Sequence, residues 1–388
     1  MDTMDKPVDS FELSCPPAIL FGCGRFGQLP EVVESLVGRQ VSGGRCFLVC
    51  TRGFVERGGL DLLSLPRSQS PVGVFSEVRP EPELAIVDRL VGAVRAANPE
   101  VVVAIGGGST LDVAKVAAVL AALPEAPVKP YFRGQLRIER PGLPLIAVPT
   151  TAGSGAEITR NAVLIEPETG KKQSLRSDLM TPRVALVDPE LTLTLPPKAT
   201  AESGMDALTQ AVESFLSKRA SRATMALAGT AIGLLLNHLP AAFRAGDGLP
   251  ARIRVAEGSL LGAMAFAQSG LGAVHGLAHP LGVALGLPHG LVCAILLPHV
   301  LRFNAPVCEE RLTRLARENG WAGPGRLLER IVGLSDELGI PSGLRGYGLR
   351  PAHFPFILEN CRSNSMNCNP RPMSDAEVGE LLQKLASA

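Results

Sequence analysis

Four short runs in the first half of the chain are apolar from end to end: Cys46–Thr51 (CFLVCT), Val101–Ile105 (VVVAI), Leu145–Val148 (LIAV) and Val184–Val187 (VALV). A strand with one face in water alternates apolar and polar residues. A run apolar throughout is covered on both faces, as in a parallel sheet. Ala18–Gly22 reads as a further strand, followed by a turn over Gly24–Leu29. Helices fall between the runs, at Glu31–Val37, at Pro80–Ala97 (Leu84, Val87, Leu90, Val91 and Val94 at helical spacing) and at Thr110–Leu123. Strands alternating with helices predict a parallel α/β sheet. Past Leu195-Pro196-Pro197 the pattern becomes purely helical: Thr200–Leu216, Ala220–Asn237, Ala251–Ser269, a histidine-bearing helix and several more. The 388 residues therefore divide into an α/β domain over 1–197 and an all-helical domain over 198–388.

Net charge is +1, no block is basic, and the chain has one Trp and two Tyr, which excludes a nucleic-acid groove or stacking platform. The start, MDTMDKPVDSFELSCPP, lacks the apolar core of an export leader. Runs such as Val101–Ile105 and Leu291–Leu297 are too short to span a bilayer. The eight cysteines are scattered, with no CxxC pair, so they read as reduced core thiols in a cytoplasmic protein rather than a zinc ribbon.

Two loops carry chemistry. Gly106-Gly107-Gly108-Ser109 joins a strand to a helix, which offers free backbone N–H groups and a helix N-terminus to a phosphate. It is neither GxGxxG nor a Walker A loop. Asp112 and Lys115 on the following helix are read as able to sit in solvent. The second loop, Pro149–Gly155 (PTTAGSG), presents hydroxyls and small residues suited to a ribose or amide edge.

Four of the six histidines lie in Leu271–Asn304: His275, His279, His289 and His299. Their neighbours are apolar or glycine, where an uncompensated imidazole costs about 2–7 kcal/mol. A shared metal or substrate relieves several at once. His275 and His279 fall on one helix face, and His289 follows in Pro-His-Gly, where a helix breaks and restarts. His299 reads as a core histidine satisfied by one backbone bond. Asp206, between Met205 and Ala207-Leu208, is equally costly unless paired or metal-bound, and Gln210 lies one turn on. One Asp with two or three His makes a plausible Fe2+ or Zn2+ site.

These residues resemble a known family. The GGGS loop, PTTAGSGAEITRN (Pro149–Asn161), DPELTLTLPP (Asp188–Pro197), GMDALTQAVESF and HGLAHPLG…LPHG…AILLPH are similar to the iron-dependent (group III) alcohol dehydrogenases, which include lactaldehyde reductase, propanediol dehydrogenase and butanol dehydrogenase. The resemblance runs from about Ala18 to Arg371. It implies a dehydroquinate synthase-like architecture, in which an N-terminal dinucleotide-binding domain faces a helical domain with a divalent metal in the cleft. It implies Asp206, His275 and His289 as metal ligands, with Gln210 in the fourth position. There the family's motif is usually DALTH and this chain has DALTQ. A carboxamide is a poorer ligand than imidazole, so three outcomes are open: Gln210 binds through its oxygen, a water takes the position, or the metal is lost.

By the same resemblance His279 is the proton relay. Gly107, Gly108 and Ser109 cradle the pyrophosphate, and Asp112, Thr150, Thr151, Thr159, Asn161 and Lys172 are expected to line the cofactor. Thr51 stands where NAD-preferring relatives place an Asp on the ribose. With Arg52 beside it, NADP(H) is expected ahead of NAD(H). The implied reaction interconverts a short-chain primary alcohol and its aldehyde in a homodimer. Arg160 and Lys172 are candidates to receive an acidic group. Alternatives are a metal-independent reductase of an oxo acid or unsaturated acid, as in maleylacetate reductases, and a non-catalytic cofactor-binding relative.

Overall fold

The computed structural model describes residues 10–37, 45–63, 70–124 and 126–388. The first nine residues, where no export leader is expected, lie outside it. The chain forms two compact units: Cys15–Thr151 with Gly155–Leu193, and Thr194–Ala388 with Ala152–Ser154 and the described residues up to Ser14.

The first unit is built on six parallel strands: β1 (Ala18–Phe21), β2 (Cys46–Cys50), β3 (Gly73–Phe75), β4 (Val101–Gly106), β5 (Leu145–Pro149) and, after a hairpin, β8 (Val184–Val187). Their order is β1-β8-β5-β4-β2-β3. Successive residues point to opposite faces, so each apolar strand feeds two cores. Phe47, Val49, Val102 and Ala104 pack with Leu90 of α3 (Leu84–Ala97) and Leu111 of α4 (Gly108–Leu120). Leu48, Cys50, Val103 and Ile105 pack with Val33 of α1 (Leu29–Val37) and Phe54 of α2 (Arg52–Glu56). This two-sided burial is what the continuous apolar runs required. The unit also holds α5 (Val128–Phe132) and an antiparallel pair, β6 (Asn161–Glu166) and β7 (Lys171–Arg176).

Three strands were missed in the sequence. β3 has only three residues, β6 (NAVLIE) is short, and β7 carries Lys171, Lys172, Gln173 and Ser174 at exposed or partly exposed positions. The stretch expected to turn, Gly24–Leu29, forms a 3-10 turn at Arg25–Gln28 and opens α1 at Leu29. Helix α3 starts at Leu84 rather than Pro80, and α4 runs from Gly108 rather than Thr110.

The second unit is helical: α6 (Pro197–Leu216), α7 (Arg222–Arg244), α8 (Leu249–Ser269), α9 (Ala273–Leu285) and α10 (His289–Asn304), then α11 (Glu309–Glu318), α12 (Arg326–Glu337), α13 (Phe354–Asn360), α14 (Asn364–Cys368) and α15 (Asp375–Ser387). Helices α6, α7 and α8 pack on one another, and α10 packs on α6 and α9. Helix α7 continues through Pro240 past the expected Asn237. The histidine segment breaks as Pro-His-Gly predicted: Gly286 closes α9 in the left-handed region (φ 63°) and α10 begins at His289. Helix α7 and the stretch His289–Val307 are long and apolar enough to cross a membrane by length and composition, contrary to the reading of short runs alone. Of these two windows, 50% and 61% are buried within the protein.

Candidate functional site

Asp206 lies in the middle of α6, 6% exposed. Its Oδ2 accepts a hydrogen bond from Gln210 Nε2 at 3.1 Å. Its Oδ1 is buried without a hydrogen bond, 3.4 Å from His275 Nε2 and 3.9 Å from His289 Nε2. The Cys293 sulfur completes the group, 3.9 Å from His275 Nε2 and 3.6 Å from His289 Nε2. The four donor atoms lie within 4.8 Å of one another. A tetrahedral ion with bonds of about 2.0–2.3 Å sets its ligands about 3.3–3.8 Å apart, so these spacings fit a metal. A buried carboxylate oxygen whose neighbours are two imidazole nitrogens fits it as well.

Glu213, one turn past Gln210, supports the group from behind. Its Oε2 accepts His275 Nδ1–H at 2.6 Å, and its Oε1 accepts the Val274 N–H at 2.6 Å. Asn369 accepts the Ala273 N–H. The two side chains satisfy the open first turn of α9, and Glu213 also fixes the His275 tautomer with Nε2 turned toward Asp206. Burial disfavours the His275 cation, but the Cys293 sulfur and the Glu213 and Asp206 carboxylates overcome that and hold its pKa well above the ordinary value. Burial pushes the Cys293 thiol up to about 12. The half-buried His279 ring stands 5.2 Å from the His289 ring. His299 is bonded through Nε2 to the Ser342 carbonyl at 2.8 Å, the backbone-satisfied histidine expected.

In the α/β unit, β2, β4 and β5 are neighbours, and their carboxyl ends bring Thr51, Gly106–Ser109 and Pro149–Thr151 side by side. That is where parallel α/β sheets take their ligands. The Thr150 N–H donates to the Gly106 carbonyl. A Cβ at Gly106 would stand 2.7 Å from the Thr110 side chain, so only glycine lets the first turn of α4 fold against the strand. Gly107, Gly108 and Ser109 remain partly exposed at that helix start.

Several expected cofactor contacts are engaged elsewhere. Lys115, for which a solvated place was one possibility, is fully buried; its Nζ donates to Thr159 Oγ1, the Asn161 carbonyl and Asp112 Oδ1. Asp112 also accepts the Val163 N–H, so this pair ties α4 to β6. Burial pushes Asp112 up and Lys115 down, each opposed by the other. Thr51 caps α2 by accepting the Phe54 N–H. Lys172, the candidate to receive an acidic group that is buried, is paired with Glu81, and the exposed Arg160 is paired with the exposed Asp178. Arg52 is exposed and pairs with Glu56 one turn on.

Sequence reasoning missed Glu213 and Cys293. Both had a signal in spacing: Glu213 lies two turns from Asp206, and Cys293 one turn from His289.

The family model described as "Iron-containing alcohol dehydrogenase" matches residues 16–189, and "Fe-containing alcohol dehydrogenase family, C-terminal" matches 200–386. The chain is similar to 1-propanol dehydrogenase PduQ of Salmonella typhimurium, 35% identical over 358 residues that cover 87% of this chain and 92% of that protein. Among solved structures it is similar to sulfoacetaldehyde reductase from Bifidobacterium kashiwanohense in complex with NAD+ (31% identity, TM-score 0.91, covering 98% and 99% of the two chains). A 1,3-propanediol oxidoreductase matches at 32% identity and TM-score 0.89, covering 97% of this chain and 100% of that chain.

Proposed function

The chain belongs to the iron-containing alcohol dehydrogenase family, and from that premise we propose that it interconverts a short-chain primary alcohol and its aldehyde, working mainly as an aldehyde reductase. Its enzyme class is NAD-dependent alcohol dehydrogenase, with NAD(H) and iron as the family's cofactors. The observation that carries the site is Asp206 Oδ1, buried without a hydrogen bond and facing two imidazole nitrogens.

In this reading Asp206, His275 and His289 hold the metal, and Glu213 keeps His275 in the ligating tautomer. A divalent ion there supplies Lewis acidity to the alcohol or carbonyl oxygen. The backbone N–H groups of Gly107, Gly108 and Ser109 would receive the pyrophosphate, and Thr150 and Thr151 would line the cofactor. Thr159 and Asn161 are fixed by Lys115, so the Asp112–Lys115 pair positions that edge rather than touching the cofactor. An imidazole nitrogen of His279 would hold the proton that leaves the alcohol, or that reaches the oxygen of the reduced aldehyde, and a bound nicotinamide would supply the hydride chemistry. The similar sulfoacetaldehyde reductase is in complex with NAD+, which supports NAD(H) ahead of the NADP(H) expected from Thr51 and Arg52. No disulfide joins any of the eight cysteines; we assign a cytoplasmic homodimer.

Gln210 favours a second reading, a metal-independent reductase of an acidic substrate with His275 and His279 as proton donors. The cations it needs, Arg160 and Lys172, are paired with Asp178 and Glu81. The test is elemental analysis of anaerobically purified protein, with NADH-dependent propanal reduction followed before and after chelation. Bound metal, activity lost on chelation and activity restored by Fe2+ or Zn2+ support the first reading. Metal-free protein with chelator-insensitive reduction refutes it.

A further inference from the structure

Where the family places a fourth ligand on the helix of Asp206, this chain has Gln210. Its amide N–H is engaged with Asp206 Oδ2, which orients the carboxylate so that Oδ1 faces the two imidazoles. Cys293 lies across the group from Gln210's helix, on α10, one turn beyond His289. We propose that the Cys293 thiolate is the fourth metal ligand of this chain, so that the ligand lost from α6 is replaced from α10; the proposal rests on the metal reading above.

Three observations carry it. The sulfur stands 3.6 and 3.9 Å from the two imidazole nitrogens that face Asp206, which are ligand-to-ligand spacings for one shared ion. An ion shared by the carboxylate, the two imidazole nitrogens and the sulfur would satisfy all four donors at once. Asp206 Oδ1, in a residue 6% exposed, points into the same space without a hydrogen bond. On binding, the metal takes the sulfur lone pair and the thiol proton leaves to solvent, with no change of oxidation state. A thiolate in place of imidazole or carboxamide softens the donor set, which raises affinity for Zn2+ or Co2+ relative to Mn2+ or Mg2+.

The experiment uses the full chain, stripped of metal and reloaded with Co2+. Optical spectra are recorded with metal content, and zinc-edge X-ray absorption is measured on the zinc-loaded protein. The expected result is one ion per chain, a thiolate-to-cobalt charge-transfer band, and one sulfur scatterer at about 2.3 Å from zinc. Cys293→Ser abolishes the band and weakens binding by more than the ~10–100-fold typical of losing an outer-shell partner. Gln210→Ala keeps the band. Stoichiometric metal with no charge-transfer band and no sulfur scatterer overturns Cys293 as ligand while leaving the metal enzyme intact. Wild-type protein that binds no ion overturns both. The wild-type spectra decide the matter even if the Cys293 variant does not fold.

Discussion

Gly290, beside His289 at the start of α10, sets the width of the metal centre. A Cβ there would lie 2.4 Å from the Glu202 carbonyl oxygen and 2.9 Å from its carbon, both backbone atoms of α6 that cannot swing away. Close carbon–oxygen contacts fall at about 3.3 Å, so Gly290→Ala forces the start of α10 about 0.9 Å away from α6. Glu202 stands one turn before Asp206. The displacement therefore opens the 3.9 Å gap between Asp206 Oδ1 and His289 Nε2, where metal sites tolerate about 0.2 Å. Stability changes far less. Alanine gains about 1 kcal/mol of helix propensity, while overpacking costs about 1–3 kcal/mol, a net loss of about 0–2 kcal/mol. The expected signature is metal affinity lowered at least about tenfold, measured by chelator competition, with an unfolding free energy lowered by no more than about 2 kcal/mol. Gly379→Ala in α15, where a Cβ meets nothing within 4 Å, is the control and gains stability. Wild-type metal affinity in Gly290→Ala refutes the reasoning.

Glu213→Gln weakens the grip on His275 and lowers metal affinity about 10–100-fold, read by the same competition. Lys115→Met strands the buried Asp112 carboxylate and removes the ties to Thr159 and Asn161; denaturant unfolding shows a loss of about 3–5 kcal/mol. Adding Asp112→Asn recovers part of it, and full additivity of the two changes would contradict the pairing. His299 is held below its ordinary pKa chiefly by burial, against the pull of the Ser342 carbonyl. The unfolded chain therefore binds that proton more readily. Its contribution to stability is complete above pH ~6.5 and declines as pH falls from there through the lowered folded value. Thermal melts of His299→Gln between pH 7 and 5 show a shallower decline than wild type; parallel curves would discount the burial.

The parallel sheet was legible because strands such as Val101–Gly106 are buried on both faces and carry no polar residue. The hairpin β6–β7 was not, because Lys171, Lys172, Gln173 and Ser174 look like a solvated loop until Asp112 and Lys115 anchor the first of the two strands. Asp206 and the histidines stood out as polar groups in apolar surroundings. Cys293 did not, since a thiol in a run such as Leu291–Leu297 looks apolar. The burial of Lys115 was not legible because α4 is buried on nearly every side, and no amphipathic stripe marks a solvent face.

The four donors come from three helices, and Asp206 is 69 residues from His275 (275 − 206) and 83 from His289 (289 − 206). An ion held among them therefore also acts as a cross-link. Closing a loop of about 70 residues removes about 4 kcal/mol of unfolded-chain entropy by the arithmetic used for disulfides. Loading and unloading the ion thus moves the resistance of α6, α9 and α10 to local opening, and the link Gly286–Pro288 is the place where protease sensitivity or amide exchange registers the change.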